Sequence, residues 1–124
     1  MSAQITIIDT GSTNVAGMNV KLENAGPEAT LEPRGGTAQK MTLPKELCSR
    51  LMDDLKTAGP LNELPAVHCM KSVSFGTSLF IEYNGVKSPD LSCRQSDPRA
   101  VALKKDAMDI MALAKTHAPA PKRY

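Results

Sequence analysis

The chain has 124 residues, of which 41% are hydrophobic and 23% are charged, a composition typical of one globular domain with its own core. Its net charge of +2 and its few aromatic residues argue against a nucleic-acid partner, because such partners are held by dense positive charge and stacked rings. No apolar run approaches the roughly 18 residues of a membrane span, and no signal peptide is visible at Met1.

Strands dominate the first third of the sequence. The β-branched run in Gln4–Asp9 predicts the first strand, and the apolar–polar alternation of Met18–Glu23 predicts a second strand with one wet face. Residues 10–14 indicate a loop, and residues 24–27 interrupt the second strand. We further predict a hairpin formed by residues 29–32 and 38–42 around Pro33-Arg34-Gly35-Gly36.

A helix is predicted over residues 43–58. Pro44 suits its first turn, where the missing N–H costs nothing, and Gly59-Pro60 is a stop signal. Residues 61–67 then form a connector. The apolar stripe of the helix consists of Leu43, Leu47, Cys48, Leu51, Met52 and Leu55.

A long hairpin is predicted next. Asn84-Gly85 is the signature of a type I′ turn, because that turn needs a positive φ at both central residues. Pro89 confines the return strand to a sheet edge or a break in the pairing. The face that we expect to be buried consists of Val73, Phe75, Thr77, Leu79, Ile81 and Tyr83.

The last predicted element is a helix over residues 98–116, with Asp97 as its N-cap and Pro98 in its first turn. Residues 1–116 are expected to form a single domain and residues 117–124 a flexible basic tail. The element order predicts an α+β fold, a two-layer sandwich in which two helices pack on one face of a largely antiparallel sheet. The apolar face of the last helix consists of Ala100, Leu103, Ala107, Ile110, Met111 and Ala114.

Three cysteines allow three single pairings. Cys48 lies on the first helix stripe and is expected to be a buried free thiol, so Cys69 and Cys93 are the candidate disulfide. A regular hairpin would place Cys93 opposite Gly76, which excludes a direct cross-strand bridge to Cys69. The bridge requires either that the chain ahead of the hairpin turns back or that Pro89 disturbs the register.

The sequence gives little support to catalysis or metal binding. His68, His117 and the two hairpin cysteines lack the spacings of metal ligands, and no Gly-x-Ser-x-Gly elbow is present. Asp53 and Asp54 are adjacent, so a helix points them about 100° apart, which indicates a solvated helix face. We therefore expect a non-enzymatic protein without a cofactor or a bound metal.

The return strand is a candidate binding edge. Pro89, Asp90 and Leu91 form a polar, stiffened stretch with one exposed-looking leucine, and sheet edges can accept a strand from a partner. The alternative is that Pro89 protects this edge against such pairing.

The layout of the chain also carries the features of a known family. These are an Ile-rich first strand, a turn containing Gly11 and Gly17, the helix opening Leu43-Pro44, and Phe80-Ile81-Glu82-Tyr83-Asn84-Gly85 ahead of a last helix begun by Pro98. In this layout the chain resembles the emfourin-type inhibitors of thermolysin-like metalloproteases. It departs from them in the separation of the two glycines and in the hairpin cysteines. The resemblance implies a contact surface on the first strand and the loop of residues 11–17, which includes Gly11, Ser12 and Thr13.

Two functions follow as expectations. The first is a non-catalytic α+β domain that binds another protein, as a monomer or weak dimer, without nucleic acid and without a membrane span. The alternative is a metalloprotease inhibitor of the emfourin type, and an enzyme of unfamiliar type is a third reading. If Cys69 and Cys93 are bridged and a signal peptide was trimmed, the protein is secreted or periplasmic; otherwise it is cytoplasmic.

Overall fold

The computed structural model describes residues 4–12, 16–24, 26–71 and 76–117. The elements in chain order are β1 Gln4–Asp9, β2 Met18–Glu23, β3 Glu28–Pro33, β4 Gln39–Thr42, α1 Lys45–Ala58, a 3₁₀ turn Leu61–Glu63, β5 Leu79–Tyr83, β6 Val86–Lys87 and α2 Pro98–His117. The predicted α+β class and both hairpins are confirmed.

The strands form one antiparallel sheet in the order β4-β3-β2-β1-β5-β6. Ile7 at the centre of β1 lies opposite Val20 on one side and Ile81 on the other, and all three side chains are buried. Because strand side chains alternate between the two faces, the buried positions all turn to the same side of the sheet; they include Ile5, Ile7, Val20, Leu22, Leu31, Leu79 and Ile81.

Both helices cover this apolar face and pack against each other. The helical residues that join the sheet in a single core include Leu51 and Leu55 from α1 and Leu103, Ile110 and Ala114 from α2. The two-layer arrangement with both helices on one face is therefore confirmed. The predicted helix stripes are buried, except that α1 begins at Lys45, so Leu43 lies ahead of it, and Met52 is half-buried.

The start of α2 confirms the predicted cap. The Asp97 carboxylate accepts a hydrogen bond from the Arg99 backbone N–H at 2.8 Å, which satisfies one of the free donors in the first turn. Hydrogen bonds from Arg99 lower the pKa of Asp97 to about 2. The helix extends to His117, one residue beyond its predicted end, and the remainder of the predicted tail lies outside the described residues.

The turn between β5 and β6 has the predicted conformation. Asn84 has a φ of 50° and Gly85 a φ of 86°, which are the positive values of a type I′ turn. Tyr83 pairs with Val86, so the register of the hairpin next to the turn is the expected one. Leu79 and Ile81 face the core, as their alternation indicated.

The prediction of a long strand ahead of this turn was wrong for its described residues 76–78. β5 begins at Leu79, and residues 76–78, which include Thr77, are not in a strand. Leu79 pairs with Asp9, the last residue of β1, so earlier residues have no neighbouring strand to extend. Val73 and Phe75 lie outside the described residues.

The return strand also differs from the expectation, because β6 has only two residues. The side chains of Ser88 and Asp90 accept the hydrogen bonds of the Ile81 and Leu79 backbone N–H groups, each at 3.0 Å. The N–H of Leu91 then donates to the Leu79 carbonyl at 2.7 Å, one position out of the hairpin register. Leu91 consequently turns into the core and is 0% exposed, so its interpretation as an exposed leucine was wrong.

Candidate functional site

The disulfide between Cys69 and Cys93 organises the candidate site. Their Cα atoms lie 5.8 Å apart, within the range that a disulfide requires. The hairpin pairing ends at Lys87, so the regular register that would exclude a bridge does not continue to Cys93. The candidate disulfide is therefore present in the structure.

The Cys93 end of the bridge is fixed to the domain. Its side chain is buried, and its carbonyl accepts hydrogen bonds from Gln95 Nε2 at 2.8 Å and from Lys104 Nζ at 3.2 Å. Lys104 belongs to α2, so the contact connects the cysteine to a helix that packs in the core. Cys69, by contrast, is exposed. The bridge thus ties a surface residue to a well-supported residue of the domain.

We call residues 65–71 the anchored segment. It leaves the domain after Leu64, which is buried, and all its residues except the half-buried Val67 are exposed. Met70 is 101% exposed, the most exposed large hydrophobic side chain among those of the described part. This methionine directly follows Cys69, so the bridge restrains the backbone next to it.

A second contact restrains the segment on the other side of Met70. The Lys71 ammonium group forms an ion pair with Asp90 and donates a hydrogen bond to Ser78 Oγ at 3.0 Å. Burial by itself would raise the pKa of Asp90, but hydrogen bonds from Lys71 and from two backbone N–H groups outweigh it and hold this pKa well below its usual range. Asp90 therefore takes part in contacts within the domain, and its predicted role at a binding edge stays a prediction.

The loop implied by the family resemblance is partly described. Gly11 and Ser12 are half-buried, and Thr13 lies outside the described residues. The Gly11 N–H donates to Asp9 Oδ1 at 2.9 Å, and the Ser12 carbonyl accepts a hydrogen bond from Arg34 at 2.8 Å. The described start of the loop is thus held against the sheet.

This loop and the anchored segment lie at the same end of the sheet. The Thr10 N–H donates to the Ser78 carbonyl at 3.0 Å, and Ser78 also accepts the hydrogen bond from Lys71. Gly17 closes the loop, where an added Cβ would lie 2.4 Å from the Asp9 carbonyl oxygen. Gly17 is accordingly needed for the close approach of two backbones, which is a structural role.

A polar cluster between the helices was not predicted. Asp106 on α2 is 1% exposed and accepts a hydrogen bond from Arg50 Nε at 2.5 Å, while another nitrogen of Arg50 donates to Asp109 at 2.6 Å. Burial and the neighbouring Asp54 carboxyl raise the pKa of Asp106 to about 7. Asp54 was interpreted as part of a solvated face, but it converges with a carboxyl of the other helix. Because Asp106 is enclosed, the pair has no access to a substrate.

Within the described part of the chain, the remaining chemically reactive candidates do not come together in a site. Cys48 is a buried free thiol, and burial raises its pKa, which keeps it a weak nucleophile. His68 and His117 are exposed, and the disulfide removes Cys69 and Cys93 as metal ligands. Among the described residues, no group of three or more His, Cys, Asp or Glu side chains is arranged to hold a metal ion.

Comparison of the chain with protein-family models, with curated proteins and with solved structures found no match. The resemblance to emfourin-type inhibitors therefore stays a hypothesis based on layout. Neither α1 nor α2 combines the length and the apolar content that a helix needs to cross a lipid bilayer.

Proposed function

We propose that this protein is a non-catalytic domain that binds another protein through the anchored segment. The observation that carries the proposal is Met70, a fully exposed apolar side chain between two restraints, the Cys69–Cys93 disulfide and the Lys71–Asp90 ion pair. Burying a methionine against a partner is favourable by about 1.5–3 kcal/mol, and a backbone that is already restrained loses less conformational entropy on binding.

A photo-crosslinking amino acid at position 70 tests this proposal. The matched control is the same amino acid at Val101, an apolar residue that is 47% exposed on the outer side of α2. We expect a discrete adduct from position 70 only, and we expect excess unlabelled protein, but not the Met70→Asp variant, to compete it away. Identical adducts from both positions would contradict the assignment of the contact surface.

Inhibition of an endopeptidase is the second candidate function. It is favoured by the exposed peptide Cys69-Met70-Lys71, which is fixed to the domain on both sides of the methionine. Peptide-binding clefts accept extended backbone. If the enzyme cut such a peptide, the restraints would hold the new ends close to the domain and slow their release. The emfourin resemblance implies the same activity, directed at metalloproteases, but through the loop of residues 11–17.

Titration against purified metallo- and serine endopeptidases tests this candidate and separates the two contact surfaces. For any enzyme that is inhibited, we expect Met70→Asp to weaken inhibition about tenfold or more, and Ser12→Glu to have little effect. The opposite result would assign the contact to the loop. Full activity of every enzyme at high inhibitor excess would reject the inhibitor function, while the crosslinking experiment would still test protein binding.

We also propose that the protein works in an oxidising compartment, because disulfides persist there and are rare in the cytosol. Thiol counting on unfolded protein, isolated from its natural host without reductant, should find one free thiol, that of Cys48. Three free thiols would contradict the proposal.

Light scattering is expected to show a monomer or a weak dimer.

A further inference from the structure

A cavity of about 360 Å³ lies between α2 and the neighbouring ends of β1 and β5. Its volume falls in the range of small-molecule sites, which is about 300–1,000 Å³. The apolar wall consists of Leu79, Met108, Met111 and Ala112. Met111 is buried in the core, whereas Met108 is 53% exposed at the rim. The wall is therefore apolar and, through the unbranched methionines, adaptable in shape.

Lys104 brings a positive charge into this cavity. Its ammonium group donates to the backbone carbonyls of Ser92 and Cys93, both at 3.2 Å. Among the described residues, none of the ion pairs includes Lys104, so its charge is not neutralised by a carboxylate. An ammonium group has three N–H donors. Two are directed at neutral carbonyls, and for the third the described residues supply no acceptor.

The other charges of the cavity neutralise each other. Lys115 forms an ion pair with Asp9 at 2.6 Å, and the second carboxylate oxygen of Asp9 accepts the hydrogen bond from the Gly11 N–H. The lining therefore contains two lysines and one aspartate, an excess of one positive charge beside an apolar wall. A ligand that complements this lining has a single negative charge and an apolar body.

We propose that this cavity binds a small organic carboxylate with a hydrocarbon body, such as a medium-chain fatty acid. The carboxylate accepts the third hydrogen bond of Lys104, and the hydrocarbon chain lies against Met108 and Met111. The site shares no side chain with the anchored segment, so failure of the proposed protein binding would not contradict this proposal.

Octanoate is the probe for this site, with binding followed by the NMR signals of the methionine methyl groups. We expect saturable shifts of the Met108 and Met111 signals, and no shift of the Met70 signal. Octanol has the body without the charge, and acetate has the charge without the body. Both are expected to bind at least about tenfold more weakly than octanoate, because each lacks one of the two interactions. Absence of saturable shifts with octanoate would overturn the proposal.

Lys104→Gln and Lys105→Gln form a matched pair of variants. They remove the same charge from neighbouring positions of α2, but Lys105 lies outside the cavity and pairs with Asp109. We expect Lys104→Gln to weaken octanoate binding about tenfold or more, and Lys105→Gln to leave it unchanged. Equal losses in the two variants would indicate general charge attraction and would overturn the proposal.

Lys104 also donates hydrogen bonds to two backbone carbonyls, so its replacement can disturb the fold. A second variant separates loss of binding from a folding defect. Met108→Glu adds a negative charge at the exposed rim, where the side chain carries little of the core. Its urea midpoint is expected to stay near that of the parent, and its octanoate affinity to fall about tenfold or more through charge repulsion and loss of the apolar contact. Unchanged affinity of this folded variant would refute the assigned cavity.

Discussion

Replacing Asp106 by Asn should stabilise the protein at neutral and alkaline pH. The aspartate is 1% exposed, and its Oδ1 atom accepts the hydrogen bond from Arg50, but among the described residues no N–H or hydroxyl donates to Oδ2. The Asp54 carboxyl lies close enough to share a proton with it. Asn would keep an acceptor for Arg50 and offer an N–H donor to Asp54, so it resembles the protonated aspartic acid without its ionisation.

The size of the effect follows from proton linkage. The Asp106 pKa is 3.8 in its ordinary state and about 7 in the folded protein. At pH values between these two, the folded state therefore binds more protons than the unfolded state. The contribution of protonated Asp106 to the free energy of unfolding is fully present below about pH 4 and is lost as the pH rises through 7. Each unit of difference between the two pKa values corresponds to about 1.4 kcal/mol, which sets an upper limit of about 4 kcal/mol for the loss.

Urea denaturation from about pH 4 to about pH 8 measures this loss. At the acidic end we expect parent and Asp106→Asn to have similar unfolding free energies, and at the alkaline end we expect the variant to be more stable by about 2–4 kcal/mol. Asp53→Asn is the control, because Asp53 is exposed on α1 beside Asp54. It should change stability by about 0.5 kcal/mol or less. A variant that is less stable than the parent at alkaline pH would contradict this reasoning, because it would show that the ion pair of ionised Asp106 with Arg50 stabilises the fold by more than burial of the charge costs.

Four further substitutions test the fold. Leu51→Ala and Ile110→Ala should each lower the unfolding free energy by about 2–5 kcal/mol, because both side chains are fully buried between helix and sheet; unchanged urea midpoints would mean that the helix faces are assigned wrongly. Cys93→Ala should cost about 3 kcal/mol in the chain-entropy model, since the bridge closes a loop with a separation of 24 residues; a midpoint insensitive to reductant would disprove this. Gly85→Ala should cost about 1–2 kcal/mol, because φ is 86° although the added Cβ meets no atom; a stabilised variant would contradict the turn type.

The secondary structure could be predicted because each element carries its own pattern. The alternation of Met18–Glu23 and the Asn84-Gly85 dipeptide specify a strand and a turn locally, and the structure has both. The long strand ahead of β5 failed because a strand needs a neighbour to pair with. The end of β1 at Asp9, which no local pattern reveals, determines where β5 can begin.

The register shift after β6 could not be predicted from the sequence, whereas the burial of Asp106 could be. The shift of register after β6 arises from the side chains of Ser88 and Asp90, which replace backbone acceptors, and such substitutions have no periodic signature. Asp106 did carry a signal. It lies three residues after Leu103 and four before Ile110, on the apolar stripe of α2, so a charged residue at that position predicts a buried ionisable group.

The position of the disulfide bears on what it does for the protein. The core is a continuous cluster of aliphatic side chains that includes Leu91, two residues before Cys93, so the Cys93 end of the bridge is already held without it. The Cys69 end is exposed and lies in a segment with a single half-buried side chain. Within the folded state, most of the conformational freedom that the bridge removes therefore belongs to the anchored segment rather than to the core. Because the free energy of binding includes the cost of ordering the bound segment, this restraint would favour the proposed recognition at Met70.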